Sequence, residues 1–168
     1  DGGVIVGGDD YNVNSPGPAY PYLVRFLANG TQDASFNGNT GHVYVPPPAG
    51  TQGIGIADIK TDAAGNIFVG IRYSPTAGGS KMALIHVSAN GILDTAFANN
   101  STFALVDYGL GPASLYDTPT HIIVQPGGKI VLTGEADASV APNARCGIAR
   151  FNSDGTPDVA FGLCGRQN

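Results

Sequence analysis

Ala28-Asn-Gly-Thr-Gln-Asp-Ala-Ser-Phe36, Ala89-Asn-Gly-Ile-Leu-Asp-Thr-Ala-Phe97 and Ser153-Asp-Gly-Thr-Pro-Asp-Val-Ala-Phe161 are three versions of one phrase. The shared frame Gly–x–x–Asp–x–x–Phe falls at Gly30/Asp33/Phe36, Gly91/Asp94/Phe97 and Gly155/Asp158/Phe161, with steps of 61 and 64 residues. A second frame keeps time with it: Gly2, Gly65 and Gly128, spaced by 63 residues, each precede a short apolar run. Self-similarity at a fixed period is the mark of a repeat architecture, and it constrains the fold before any other argument.

Aligned on these frames, each unit has the same parts. A first apolar run is Ile56-Ala-Asp-Ile-Lys60 in one repeat and His121-Ile-Ile-Val-Gln125 in the next. After a glycine turn come Val4-Ile-Val6, Ile67-Phe-Val69 or Ile130-Val-Leu132, then a variable loop rich in small and polar residues (9–21, 72–81, 135–145). Tyr22-Leu-Val-Arg-Phe26, Ala83-Leu-Ile-His-Val87 and Gly147-Ile-Ala-Arg-Phe151 lead back into the Asn-Gly or Asp-Gly turn, and His42–Val45 and Phe103–Asp107 supply a last run. Short β-branched runs bounded by turn residues read as strands in tight hairpins. Four strands per unit of this size make one blade of a β-propeller. The expectation is an all-β chain of four-stranded antiparallel blades, about two and a half to three repeats of an incomplete ring. It forms a single repeat array over residues 1–168, with units near 1–55, 56–118 and 119–168. Because it opens inside a repeat and propellers close with four to eight blades, the chain reads as a piece of a longer polypeptide. Completion by copies of itself or by another subunit is the alternative.

Between residues 125 and 162 the pattern Gln-Pro-x-Gly-Lys-Ile-Val-x-x-Gly … Ala-Arg-Phe-Asn-x-Asp-Gly-x-x-Asp-x-x-Phe-Gly is complete. It resembles the delta-60 repeat of bacterial surface and secreted proteins. The resemblance is weakest in the second unit, where Asn66 stands for Lys129 and His86 for the arginine. It implies a β-propeller outside the cytoplasm and no particular reaction.

Bulk properties narrow the function. With 8 basic against 13 acidic residues and three lysines, the chain lacks the charge for binding phosphate backbones. It has no apolar run long enough to span a bilayer. The leading expectation is a non-catalytic, extracytoplasmic repeat module for structure or protein interaction, with further blades, copies of itself or another subunit as partner. The rival is part of a propeller hydrolase or lyase whose channel site is shared with other blades.

Individual residues divide between structure and recognition. In Asp33, Asp94 and Asp158 the expected role is capping the backbone of a short turn whose Phe then packs into the blade. Calcium is the competing reading of these aspartates and of Asp9-Asp10, although no D-x-D-x-D-G loop is present. Arg25 and Arg150 are expected to bond turn carboxylates or carbonyls within their blades. Cys146 and Cys164 either close a disulfide, as in an oxidising compartment, or remain two thiols. His42, His86 and His121 have no metal-ligand spacing, and Gly109–Ser114 only imitates a phosphate loop. Tyr11, Tyr20, Tyr22, Tyr108 and Tyr116, in or beside variable loops, are the candidate contact residues.

Overall fold

A computed structural model describes residues 2–10, 20–108, 116–136, 145–162 and 166–167. Eleven strands among them form three antiparallel sheets. The first sheet holds β1 (Val4–Asp10), β2 (Tyr20–Phe26) and β3 (His42–Tyr44), in that order. The second runs β4 (Thr51–Thr61), β5 (Ile67–Pro75), β6 (Lys81–Val87), β7 (Ala104–Val106). The third runs β8 (Thr118–Val124), β9 (Ile130–Ala136), β10 (Arg145–Phe151), β11 (Arg166–Gln167). Each sheet follows chain order, so the chain is a row of up-and-down blades of an incomplete β-propeller. The second blade starts at Thr51, ahead of the 56 expected from sequence. Among the described residues the first blade has three strands, with β1, aligned with β5 and β9, at its edge.

Alternation along the strands decides which residues face which neighbour. In β1 and β2, Ile5 and Leu23 point toward the second blade. There they meet Ile67, Val69, Ile71, Ala83 and Ile85 in one core cluster. The opposite face of the second blade carries Phe68, Met82, Leu84 and Ala104, which pack on Ile130, Leu132, Ala149 and Phe151 of the third. The protein therefore has two cores, each lying between consecutive blades. Glycine on a strand lets neighbouring blades approach closely: a Cβ on Gly7 would lie 2.4 Å from Ile59 Cδ1 of the second blade, and one on Gly70 would lie 3.1 Å from Leu132 Cδ1 of the third. Polar links cross the same gaps, with Asp9 Oδ1 accepting from Ile56 N–H (3.1 Å) and Asp58 Oδ2 from Ile122 N–H (2.9 Å). Among the described residues no helix is long and apolar enough to cross a membrane.

Candidate functional site

The repeated turns are the joints of this row. Each begins as a tight hairpin in which Gly30, Gly91 or Gly155 takes φ of 82°, 86° or 82°. That left-handed backbone is open to glycine without steric penalty. The aspartate three residues on then fixes the following turn. Its Oδ1 accepts the N–H of Ser35 (2.9 Å), Ala96 (3.0 Å) or Ala160 (3.2 Å). Its Oδ2 receives a side chain from the preceding strand: Arg25 Nε at 2.7 Å, His86 Nδ1 at 2.9 Å or Arg150 Nε at 2.7 Å. Lys129 Nζ adds a second cation at Asp158, 2.7 Å away. All three carboxyls are held below the usual aspartate value. The hydroxyl of Ser35 is foremost at Asp33, His86 at Asp94 and Lys129 at Asp158, each opposed by partial desolvation.

The phenylalanines go further than the sequence implies. Phe36 and Phe97 are buried in core clusters that include side chains of their own blade, and each ring also reaches beneath the glycine of the following blade. A Cβ on Gly91 would sit 2.7 Å from the Phe36 ring and from the Asn37 nitrogen, and one on Gly155 would sit 2.6 Å from the Phe97 ring. Backbone bonds lock both joints, Asn37 N–H to Asn90 O and Ala98 N–H to Asp154 O, each 2.8 Å. At the first joint Arg25 lies over Phe36, 4.6 Å from its centroid, and its Nη1 donates to Ala89 O at 2.5 Å. At the ends of the row the two halves of such a joint stand apart. Gly30 is exposed, with open space where a Cβ would point, and Phe161 is half-buried beneath the Arg150 guanidinium at 4.4 Å.

Beside Gly30 lies an uncovered sheet face. Val4 and Val6 are 55% and 49% exposed, whereas Ile67 and Val69, which hold the same places in the second blade, are 1% and 0%. Register puts Val24 opposite Val6 and His42 opposite Val24, with Tyr44 opposite Tyr22. The rings of Tyr22, His42 and Tyr44 gather with centroids 4.7–5.3 Å apart. His42 and Tyr44 join this patch without having been singled out as contacts in sequence; the signal was their cross-strand register, which pairing alone reveals.

The other candidates are placed as follows. Tyr20 and Tyr116 are exposed, but Tyr108 is buried against Gly147 of the third blade, so its ring is core and not contact surface. Tyr11, Cys164 and the loop at 109–115 lie outside the described residues, as does the Asp10 side chain. Cys146 is exposed on β10. His42, His86 and His121 sit in three different blades. Among the described residues no three His, Cys, Asp or Glu side chains are grouped to hold a metal ion. A groove of about 410 Å³ at the second joint is lined by Tyr73, Phe103, Leu105, Phe151 and Pro157, and its lining has no histidine or carboxylate.

Residues 1–36 and 125–161, the first and third copies of the frame, match the model of a β-propeller domain of unknown function (DUF5122). That family is related to the delta-60 repeat. No curated protein matches the chain.

Proposed function

We propose that this β-propeller segment is a non-catalytic, extracytoplasmic repeat module of the delta-60 kind for structure or protein interaction, in which protein (further blades of the same polypeptide, a copy of itself or another subunit) packs on the exposed face of its first blade. One observation carries the reading: Val4 and Val6 are half-exposed where the aligned positions of the second blade are sealed. Contiguous exposed apolar surface on a soluble sheet marks an interaction site. Support also comes from the repeated polar residues, whose side chains are engaged in the turns, as Asp33 with Arg25 and Asp158 with Lys129 and Arg150. Tyr44 and Tyr20, 47% and 39% exposed at the outer end of the face, give an aromatic rim suited to protein contact.

Tyrosine footprinting tests this. In material from its source, Tyr20 and Tyr44 should be protected relative to the dilute purified chain, and cell fractionation should place the protein outside the cytoplasm. Equal reactivity in both states would sink the docking face. A hydrolytic turnover abolished by replacing His42, His86 and His121 together would replace the module with an enzyme.

A further inference from the structure

We infer that the groove at the second joint is a binding site for an uncharged, proline-rich peptide segment laid extended across β7, separate from the face of the first blade. The groove, of about 410 Å³, takes its walls from the linker ahead of β4 (Pro48), from the second blade (Tyr73, Leu105) and from the turn of the third (Pro157). It is therefore built inside the row and not at either end of it. Leu105 and Pro157 are exposed, and Pro48 and Tyr73 are half-buried, so apolar surface in the groove is open to solvent. No Asp, Glu, Lys, Arg or His lines it. A charged ligand would lose water there and gain no counter-charge, which selects a neutral one.

Two details favour proline over other neutral chemistry. The wall already contains Pro48, the last of the run Pro46-Pro47-Pro48, so a partner's prolines continue a surface that this chain itself builds from proline. Proline-rich segments form an extended helix with little entropy left to lose, and they dock in aromatic-lined grooves. Without N–H groups at proline they offer carbonyls and need donors. Ser101 and Thr156 in the lining already donate, to Phe103 O and to Asp154 Oδ1. Asn99 is the donor that remains, its side-chain amide making no hydrogen bond among the described residues. The first joint shows that the backbone does not demand this residue. Its turn takes the same left-handed path with Asn37, Gly38, Asn39 and Gly41, where the second joint has Ala98, Asn99, Asn100 and Thr102. Asn99, at φ 61°, thus stands in the place of the more permissive Gly38, and what it adds is an amide in the groove.

The experiment is a titration of the isotope-labelled 168-residue chain with a capped octaproline peptide, followed by NMR. A glycine-serine peptide of equal length and cellohexaose are the comparison probes. Octaproline is expected to shift the Asn99 side-chain amide and the Leu105 N–H, leaving Asn37 and Gly38 at the first joint unmoved. Leu105→Asp puts a carboxylate on an exposed wall and should weaken binding by about tenfold or more. Asn99→Gly removes the donor while relaxing the backbone, so it should weaken binding about two- to tenfold without lowering the thermal midpoint. That variant separates loss of the site from loss of the fold. No shift at millimolar octaproline would overturn the inference, as would shifts centred on the first blade or an equal response to the glycine-serine peptide. A response to cellohexaose alone, or unchanged affinity in either variant, would overturn it as well.

Discussion

The joint between the first and second blades and the joint between the second and third share a skeleton but not its charges. Both have a buried Phe under a left-handed Gly, and both have a 2.8 Å backbone bond across the gap. In the first, Arg25 holds Asp33, covers Phe36 and reaches Ala89 O of the next blade. In the second, His86 holds Asp94 and lies between Phe68 and Phe97, with centroids 5.0 and 5.6 Å away. The comparison separates what a joint needs from what it tolerates. Ring, glycine and backbone bond are constant, whereas the basic residue can change from arginine to histidine.

The largest test of that division is at the glycines. Gly30→Ala, Gly91→Ala and Gly155→Ala put the same strain on a left-handed backbone, about 1–2 kcal/mol. Only the latter two also drive a Cβ into a ring, which adds about 1–3 kcal/mol of overpacking. Urea unfolding should order them with Gly30 least affected. Equal losses at all three would break the joint model. Next come the rings: Phe36→Ala and Phe97→Ala should each destabilise by about 3–5 kcal/mol, and by similar amounts, since both are sealed. A much smaller loss at one of them would mean that Arg25 or His86 carries its joint instead.

These joints mark where sequence reading stopped. The period, the strands and the turn aspartates were legible because each is a local pattern: β-branched runs, glycines at 63-residue spacing, and Asp bonding a backbone N–H two residues away. The destination of Phe36 was not, because its socket belongs to the next repeat and only the stacking of blades brings Gly91 over it. Tyr108 misled for the same reason. It borders a variable loop in sequence, but its ring is received by Gly147, a residue that looks unremarkable on its own strand. Arg25 was legible in part: its bond to Asp33 is local, while its bond to Ala89 O crosses blades.

Smaller effects sharpen the contrast between the joints. His86→Arg supplies the second joint with the group that the first one has, reaching Asp94 and covering Phe97. A cation over an aromatic ring in a partly exposed site contributes about 0.5–1 kcal/mol, so the thermal midpoint should rise. A fall would show that the stack on Phe68 matters more than the missing guanidinium. The left-handed residue after each buried Phe also differs, Asn37 at φ 50° against Ala98 at φ 54°. Asparagine tolerates this region and alanine does not, so Ala98→Gly should stabilise by about 0.5–1 kcal/mol. Asn37→Gly should be close to neutral.

The last contrast is with acid. Asp33, Asp94 and Asp158 all have folded pKa values below the ordinary 3.8. A depressed carboxylate contributes stability that is complete above its unfolded value and is lost as pH falls through the folded one. Thermal midpoints should therefore be insensitive to these groups at neutral pH and decline below about pH 4. The joints should not contribute equally to that decline. Asp158 is held by Lys129 and Arg150, both cationic through the whole acid range. Asp94 has His86 alone among its basic partners, and its pKa is lowered first by that hydrogen bond. Asp158→Asn leaves two cations facing an amide, and it should flatten the acid limb more than Asp94→Asn does. Superimposable acid limbs for the two variants would mean that the turn bonds to Ala96 and Ala160, common to both, depress the carboxyls, and that the basic residues merely follow.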